Sequence, residues 1–80
     1  MIRARLNLVV ALPAEAKPIN QLLELHRVQP HRELPIFTGN EIALVITGHG
    51  SDAIQAGVKY LARHNGIKNA FWLNIGIAGH

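Results

Sequence analysis

Short apolar strand patterns alternate with helix patterns along this 80-residue chain, and the alternation constrains its fold more than any other feature. The predicted elements, in chain order, are a strand at Leu6–Ala11, a helix from Pro13 to about Leu25, strands at Leu34–Thr38 and Ile42–Thr47, a helix from Ser51 and a strand at Ala70–Ile75. The polar segment Arg27–Glu33 is expected to form a loop or the start of an irregular strand. Strands that alternate with helices are typical of α/β sheets with right-handed crossovers. We therefore expect an α/β fold with the order β-α-β-β-α-β.

Glycine, asparagine and serine residues mark the connections between these elements. Gly39-Asn40-Glu41 joins the two middle strands, and Gly and Asn tolerate the left-handed conformations that a hairpin turn requires. Ser51 is expected to cap the start of the second helix, with Asp52 in its first turn. The same helix is expected to end at Asn65-Gly66, where the glycine would form the C-terminal stop. Gly57 and nearby alanines predict a close approach of the helix to the sheet. The first and last strands are both expected to be buried.

The composition excludes several classes of protein. A hydrophobic fraction of 49% with only 16% charged residues excludes a disordered tail. The absence of cysteine excludes a disulfide framework, a Cys-ligated zinc site and a thiol nucleophile, and it favours the cytoplasm. The short apolar run after Arg3 and Arg5 has the outline of a signal peptide, but Asn7 interrupts it, so a buried first strand is the better interpretation.

The charged residues and histidines do not form a recognisable binding motif. Eight Lys and Arg residues face five Asp and Glu residues, but the basic residues are scattered and have no aromatic residues interleaved with them. We therefore expect no nucleic-acid partner. No apolar run approaches the roughly 20 residues that span a bilayer, so no membrane partner is expected. The five histidines lack paired ligand spacing, and neither a metal site nor a cofactor is expected.

The small size of the chain and the position of its last residues predict a partial domain. A chain of this length buries on folding only about 60% of the surface that the unfolded chain exposes, and this one has no cysteine for a stabilising disulfide bond. Residues 1–80 also stop directly after a predicted strand, in a glycine-rich turn where α/β proteins build ligand sites. We expect a single partial domain, the N-terminal fragment of a longer one. Open strand edges in such a fragment recruit partners, so self-association into a homo-oligomer is also expected.

Three predicted strand ends carry residues that suit a ligand site. Glu15 follows the first strand at a helix start, where the helix dipole also stabilises a carboxylate without any functional role. Gly48-His49-Gly50 precedes the second helix, where backbone amides could approach a phosphate or a ribose hydroxyl, although a plain turn is equally compatible. Gly76-Ile77-Ala78-Gly79 follows the last strand, where small residues also allow a close approach of the backbone.

Taken in order, these segments resemble the start of the nucleoside phosphorylase family, and most closely its 5′-methylthioadenosine/S-adenosylhomocysteine nucleosidase branch. The segments that carry the resemblance are Ala11-Leu12-Pro13-Ala14-Glu15, Phe37-Thr38-Gly39, Thr47-Gly48-His49-Gly50 and Asn74-Ile75-Gly76-Ile77-Ala78-Gly79. They are similar to the family's Ala-Met-Glu-Glu-Glu loop, Tyr-Thr-Gly hairpin entry, Ser-Gly-Ile-Gly turn and Asn-Thr-Gly-Ser-Ala-Gly signature. The resemblance covers nearly all of this chain and well under half of a family domain.

The resemblance implies a fold and a reaction. It implies the N-terminal portion of a three-layer α/β/α sandwich with a mixed sheet, assembled as an oligomer. The reaction is cleavage of the N-glycosidic bond of a purine nucleoside, such as methylthioadenosine or S-adenosylhomocysteine. Glu15 matches the glutamate that positions the attacking water. Gly48, His49 and Gly50, together with Ile77, Ala78 and Gly79, match loops that line the ribose and base.

Departures from the family pattern limit what the resemblance implies. Asn74 stands where phosphorylases carry a phosphate-binding arginine, and Ile77 where they carry a serine or threonine, so hydrolysis is favoured over phosphorolysis. The family's base-protonating aspartate and ribose-binding Met-Glu segment come later than any residue of this chain. We therefore expect the 80-residue chain to be inactive alone. A phosphate-dependent phosphorylase, another nucleosidase branch and a non-catalytic self-associating binding module remain the alternatives.

Overall fold

A computed structural model describes residues 2–28 and 33–76 of the chain as a mixed α/β fold. Its elements are β1 Leu6–Val10, α1 Pro13–Leu22, β2 His26–Arg27, β3 Ile36–Gly39, β4 Ile42–Ile46, α2 Ser51–His64 and β5 Phe71–Ile75. The five strands form one sheet in the order β2-β3-β4-β1-β5. The α/β prediction is confirmed. The short strand β2 is an addition to the predicted order, and only its second residue, Arg27, belongs to the segment that was expected to be a loop or the start of an irregular strand.

The strand β1 lies at the centre of the parallel part of the sheet. It pairs in parallel with β4 on one side and with β5 on the other, and Val10 lies opposite both Ile46 and Ile75. The strands β2, β3 and β4 are joined to one another by antiparallel pairing. The carboxyl ends of β1, β4 and β5 therefore reach the same edge of the sheet side by side.

The core consists of two separate apolar clusters, one on each face of the sheet. Residues of the two clusters alternate along β1 and β4, because successive side chains of a strand point to opposite faces. One cluster combines Val9, Ala43 and Val45 with Tyr60 and Leu61 of α2. The other combines strand residues with Ala16 of α1, and its buried members are Leu8, Val10, Ala16, Leu25, Leu44 and Ile46. Alternate residues of β1 and β4 thus pack against different helices. The apolar sequences of both strands are explained by this burial on two sides.

The end of α2 is fixed by a buried asparagine and not by a glycine stop. Asn65 is in an extended conformation as the C-cap, and Gly66 does not have a positive φ, so the predicted glycine stop is wrong. The Asn65 amide accepts from the Ala4 N–H at 3.0 Å and donates to the Ala4 carbonyl and the Asn7 Oδ1, each at 2.9 Å. This amide network ties the helix end to the beginning of β1.

The turn between β3 and β4 differs from its prediction in one residue. Asn40 and Glu41 have φ values of +52° and +64°, whereas Gly39 has no positive φ. A side chain at Gly39 is excluded for another reason, since a Cβ there would lie 2.7 Å from the Glu24 carbonyl oxygen. The exposed Glu41 carboxylate lies 3.2 Å from the Arg5 guanidinium. The hairpin was predicted correctly, but its left-handed residues are the asparagine and the glutamate.

The helix α1 ends earlier than expected. It ends at Leu22, and the left-handed Glu24, with a φ of +57°, turns the chain towards β2. Leu25 is buried, but it lies after this turn and outside the helix. The prediction of a helix to about Leu25 was therefore too long, because a buried leucine at helical spacing was counted as part of it.

The prediction that the last strand is buried is wrong for this structure. β5 lies at an edge of the sheet, and its exposed large side chains are Phe71, Trp72 and Leu73, at 77%, 40% and 52% exposure. Only Ile75 of this strand packs against a core cluster. In the part of the chain that the structure describes, no helix has the length and apolar character needed to cross a membrane.

Candidate functional site

The loops that follow β1 and β4 are joined by backbone hydrogen bonds at the carboxyl edge of the sheet. The Thr47 N–H donates to the Val10 carbonyl, and the Gly48 N–H donates to the Ala11 carbonyl, both at 2.9 Å. These bonds continue the parallel pairing of the two strands beyond their ends. They place the beginning of α1 beside the glycine loop that leads into α2. In open α/β sheets, ligands bind at this edge.

Glu15 lies in the first turn of α1, as predicted. Pro13 begins the helix, where its missing N–H and fixed φ are favourable. The Glu15 Oε1 accepts a hydrogen bond of 3.2 Å from the Leu12 N–H, and the side chain is partly buried. This is the carboxylate half of a capping box. The carboxylate is therefore held in a defined orientation at the loop after β1, and it also stabilises the helix start.

Gly48 and Gly50 give the second loop its shape. Their φ values of +90° and +96° lie in the region that side-chain-bearing residues rarely adopt. Gly50 is the N-cap of α2, and its carbonyl accepts from the Ile54 N–H at 3.0 Å. The prediction that Ser51 caps this helix is wrong, because Ser51 is already its first residue. No side chain provides the cap, so the first amides of α2 face the loop without a side-chain acceptor.

His49 lies between the two glycines and is exposed. Asp52, in the first turn of α2 as predicted, is also exposed. The backbone of this loop is thus well determined, whereas the His49 side chain projects from it. An exposed imidazole at a strand end is accessible to a ligand, but the packing of the fold does not fix its direction.

Thr47 and Gly57 hold the glycine loop against α2, and the sequence alone assigned Thr47 no role of its own. The Thr47 hydroxyl donates to the Gly48 carbonyl at 2.8 Å, and the residue is 7% exposed. A Cβ at Gly57 would overlap the Thr47 Cγ2, so the predicted close approach of α2 at Gly57 is confirmed. The signal that could have found Thr47 is a polar residue that ends an apolar strand directly before a glycine.

The third predicted loop follows β5, which pairs with β1 on the side opposite β4. Ile75 pairs with Val10, and Gly76 follows as an exposed residue. The predicted site residues Ile77, Ala78 and Gly79 lie outside the described residues. Asn74 is exposed near the end of β5. The structure therefore brings Glu15 and Gly48–Gly50 to one edge of the sheet.

The chemistry that this edge can support follows from its groups. Glu15 supplies an oriented carboxylate, and the glycine loop supplies backbone amides that can approach a ligand closely. Within residues 2–28 and 33–76, no group of three His, Cys, Asp or Glu side chains is arranged to hold a metal ion. The amides at the start of α2 can donate to an anion or to a hydroxyl oxygen, and the Glu15 carboxylate can accept from a hydroxyl group.

No family model matches this sequence, and no curated protein shows significant similarity to it.

Proposed function

We propose that this chain carries part of the active site of a purine nucleosidase that hydrolyses the N-glycosidic bond of nucleosides such as methylthioadenosine or S-adenosylhomocysteine. The observation that carries the proposal is the hydrogen-bonded junction of the loops after β1 and β4. Because Gly48 donates to Ala11, the oriented Glu15 carboxylate and the left-handed glycine loop belong to one edge. These are two of the four segments whose sequences resemble the nucleosidase branch.

In the proposed reaction, water attacks the anomeric carbon of the ribose. The bond between that carbon and the purine nitrogen breaks, and its electron pair leaves with the base through an oxocarbenium-like transition state. Glu15 positions the water and accepts its proton, as a general base held within hydrogen-bond reach. The bond from the Leu12 N–H fixes one oxygen of the carboxylate and so limits the orientations that it can adopt.

The glycine loop is proposed to line the ribose and base. The positive φ values of Gly48 and Gly50 turn the backbone where a Cβ would be strained, and a Cβ at Gly50 would point into open space. A ligand can therefore approach the main chain there more closely than at a residue with a side chain. His49, on the exposed side of the loop, is proposed as a further contact.

Hydrolysis is preferred to phosphorolysis on the basis of charge. A carboxylate at the loop after β1 repels phosphate, and Asn74 provides no positive charge near the end of β5. In the family that the chain resembles, an aspartate protonates the leaving base, and this chain has no counterpart of that aspartate. The proposed fold is accordingly the N-terminal portion of a three-layer α/β/α sandwich, whose remaining segments would complete the site.

Ligand binding by the chain tests the proposal without requiring turnover. In a titration of the ¹⁵N-labelled chain followed by NMR, methylthioadenosine is expected to shift the amide signals of Gly48, Gly50 and Glu15. The amide of Asn40, in the distant hairpin turn, serves as the internal control. Adenine and ribose, added separately, are expected to produce smaller shifts. Equal shifts at Asn40, or none at the glycine loop with millimolar nucleoside, would contradict the proposal.

A pair of substitutions separates the chemical role of Glu15 from its structural role. Glu15→Gln keeps an oxygen that can accept from the Leu12 N–H, whereas Glu15→Ala removes it. In the protein expressed from its own gene, Glu15→Gln is expected to lower methylthioadenosine hydrolysis by about 100-fold or more, the usual contribution of a general base. Its thermal stability should stay close to that of the unsubstituted protein.

The Glu15→Ala variant should lose the same activity and, in addition, about 1 kcal/mol of stability through loss of the cap. Wild-type hydrolysis rates in Glu15→Gln would remove Glu15 from the mechanism. A rate that depends on added phosphate would favour a phosphorylase instead.

One observation favours a function of another class. The strand β5 exposes three large apolar side chains at a sheet edge, as expected of a self-associating binding module. That possibility can be tested separately from catalysis.

A further inference from the structure

The two edges of the sheet differ in how they are protected against pairing with another strand. The edge strand β2 has only two residues, and Arg27 places a charge on it. Short length and charge are two ways in which proteins protect an edge. The opposite edge strand, β5, has five residues and no proline, and residues 70–76 contain no charged side chain. The β5 edge therefore lacks these protections.

The hydrogen-bonding groups of β5 are divided between its two sides. The Phe71 N–H donates to the Arg5 carbonyl at 2.8 Å, so the backbone groups of Phe71 face β1. Because this direction alternates along a strand, Leu73 and Ile75 also direct theirs towards β1. The N–H and C=O groups of Trp72 and Asn74 therefore point away from the sheet, where a further strand would bind.

The side chains of β5 suit a second copy of the same strand. Phe71, Leu73 and Ile75 share one face of the sheet, because they pair with Leu6, Leu8 and Val10, respectively. In an antiparallel pair centred on Leu73, Phe71 lies opposite Ile75 of the other copy and the two Leu73 residues face each other. The apolar residues of both copies then form one continuous surface, and no like charges are opposed.

We propose that the chain forms a homodimer by antiparallel pairing of β5 with β5 of a second copy, with Leu73 at the two-fold axis. In this register, Trp72 of each copy exchanges backbone hydrogen bonds with Asn74 of the other. Two Leu73 residues at the axis form a non-hydrogen-bonded pair, whose Cα atoms lie about 4.5 Å apart. The pairing extends the sheet across the two copies and uses both β5 edges, so the assembly stops at two.

The exposed area predicts how tight this dimer is. The exposed parts of Phe71, Trp72 and Leu73 amount to roughly 350 Å² per copy, from the usual areas of such side chains. Two copies therefore contribute roughly 700 Å², which is less than the roughly 1,200–2,000 Å² buried in stable protein–protein interfaces. An interface of this size is expected to be weak, so the population of the dimer should depend on protein concentration.

Matched lysine substitutions test the surface. Leu73→Lys places two positive charges opposite each other at the axis and removes an apolar contact. In sedimentation equilibrium of the full chain, it is expected to raise the dimer dissociation constant at least tenfold. Leu22→Lys is the control, since Leu22 is an equally apolar residue on α1 with 81% exposure. It should leave the constant unchanged, and circular dichroism should show that both variants keep the fold.

A cysteine variant tests the register. The chain has no cysteine, so Leu73→Cys introduces a single thiol whose partner across the axis is within disulfide distance. Mild oxidation is expected to convert Leu73→Cys into a covalent dimer and to leave Leu22→Cys mainly monomeric. A monomeric wild-type chain at millimolar concentration would overturn the proposal. So would a dimer that Leu73→Lys does not weaken, or equal cross-linking of the two cysteine variants.

Discussion

The strands β1 and β5 are neighbours of equal length and mainly apolar sequence, but they have opposite environments. Each has five residues, each contains one asparagine, and they pair in register along their whole length. Four of the five residues of β1 are buried, whereas four of the five residues of β5 are exposed. The contrast is sharpest at one pair of partners, because Leu8 is 2% exposed and Leu73, which lies opposite it, is 52% exposed.

The difference shows that position in the sheet, and not hydrophobicity, decides burial. β1 has a neighbouring strand on each side, and each of its two faces is covered by a different helix. β5 has one neighbouring strand, and only Ile75 packs against a cluster. A short apolar run predicts a strand but does not say which of these positions the strand occupies.

Truncation of the paired leucines should have very unequal effects on stability. Leu8→Ala is expected to lower the free energy of unfolding by about 3–5 kcal/mol, since it leaves a cavity in a closed core. Leu73→Ala should cost less than about 1 kcal/mol, because half of that side chain is already in water. Urea unfolding at a low protein concentration, where the chain is monomeric, measures both values.

The dilute condition is the control in this comparison, because dimer formation would add stability at Leu73 that the monomer lacks. Similar losses for Leu8→Ala and Leu73→Ala in the dilute monomer would show that β5 is covered as fully as β1.

Asn65 and Asn74 provide a second contrast between a buried and an exposed side chain, with a smaller expected effect on stability. Asn65→Ala would leave the Ala4 N–H, the Ala4 carbonyl and the Asn7 side-chain oxygen without the partner that they now share. Buried polar groups without partners are costly, so a loss of about 2–4 kcal/mol is expected. Thermal unfolding followed by circular dichroism measures the change.

Asn74→Ala is the matched substitution on β5. Asn74 is exposed, so its change should stay within about 0.5 kcal/mol of zero. A large loss at Asn74, or a negligible loss at Asn65, would be inconsistent with the difference between the buried amide network at the beginning of β1 and the exposed strand β5.

Periodicity and turn chemistry predicted most of the elements but not their mutual arrangement. The helix pattern correctly indicated α2, and Gly57 correctly indicated a close approach. The order of the strands depends on long-range pairing that no local pattern carries, and so β5 could not be recognised as an edge. Similarly, Asn65 was interpreted as part of a glycine stop because its partners, Ala4 and Asn7, are distant in sequence.

For the candidate site, the sequence predicted the backbone positions but not the directions of the side chains. Gly48 and Gly50 suggested a close backbone approach, and both have the positive φ that such a loop needs. The position of Glu15 followed from the helix start. Its bond to the Leu12 N–H, and the hydroxyl of Thr47 that holds Gly48, depend on side-chain direction, which sequence spacing does not supply.

Amide hydrogen exchange along β5 tests the central distinction most directly. In the dilute monomer, the amides of Trp72 and Asn74 should exchange rapidly, and those of Leu73 and Ile75 should be protected by their bonds to β1. At concentrations that favour the dimer, Trp72 and Asn74 should become protected as well, while the amides of β1 remain slow throughout. Protection of Trp72 and Asn74 that does not change with concentration would contradict the description of β5 as an open edge.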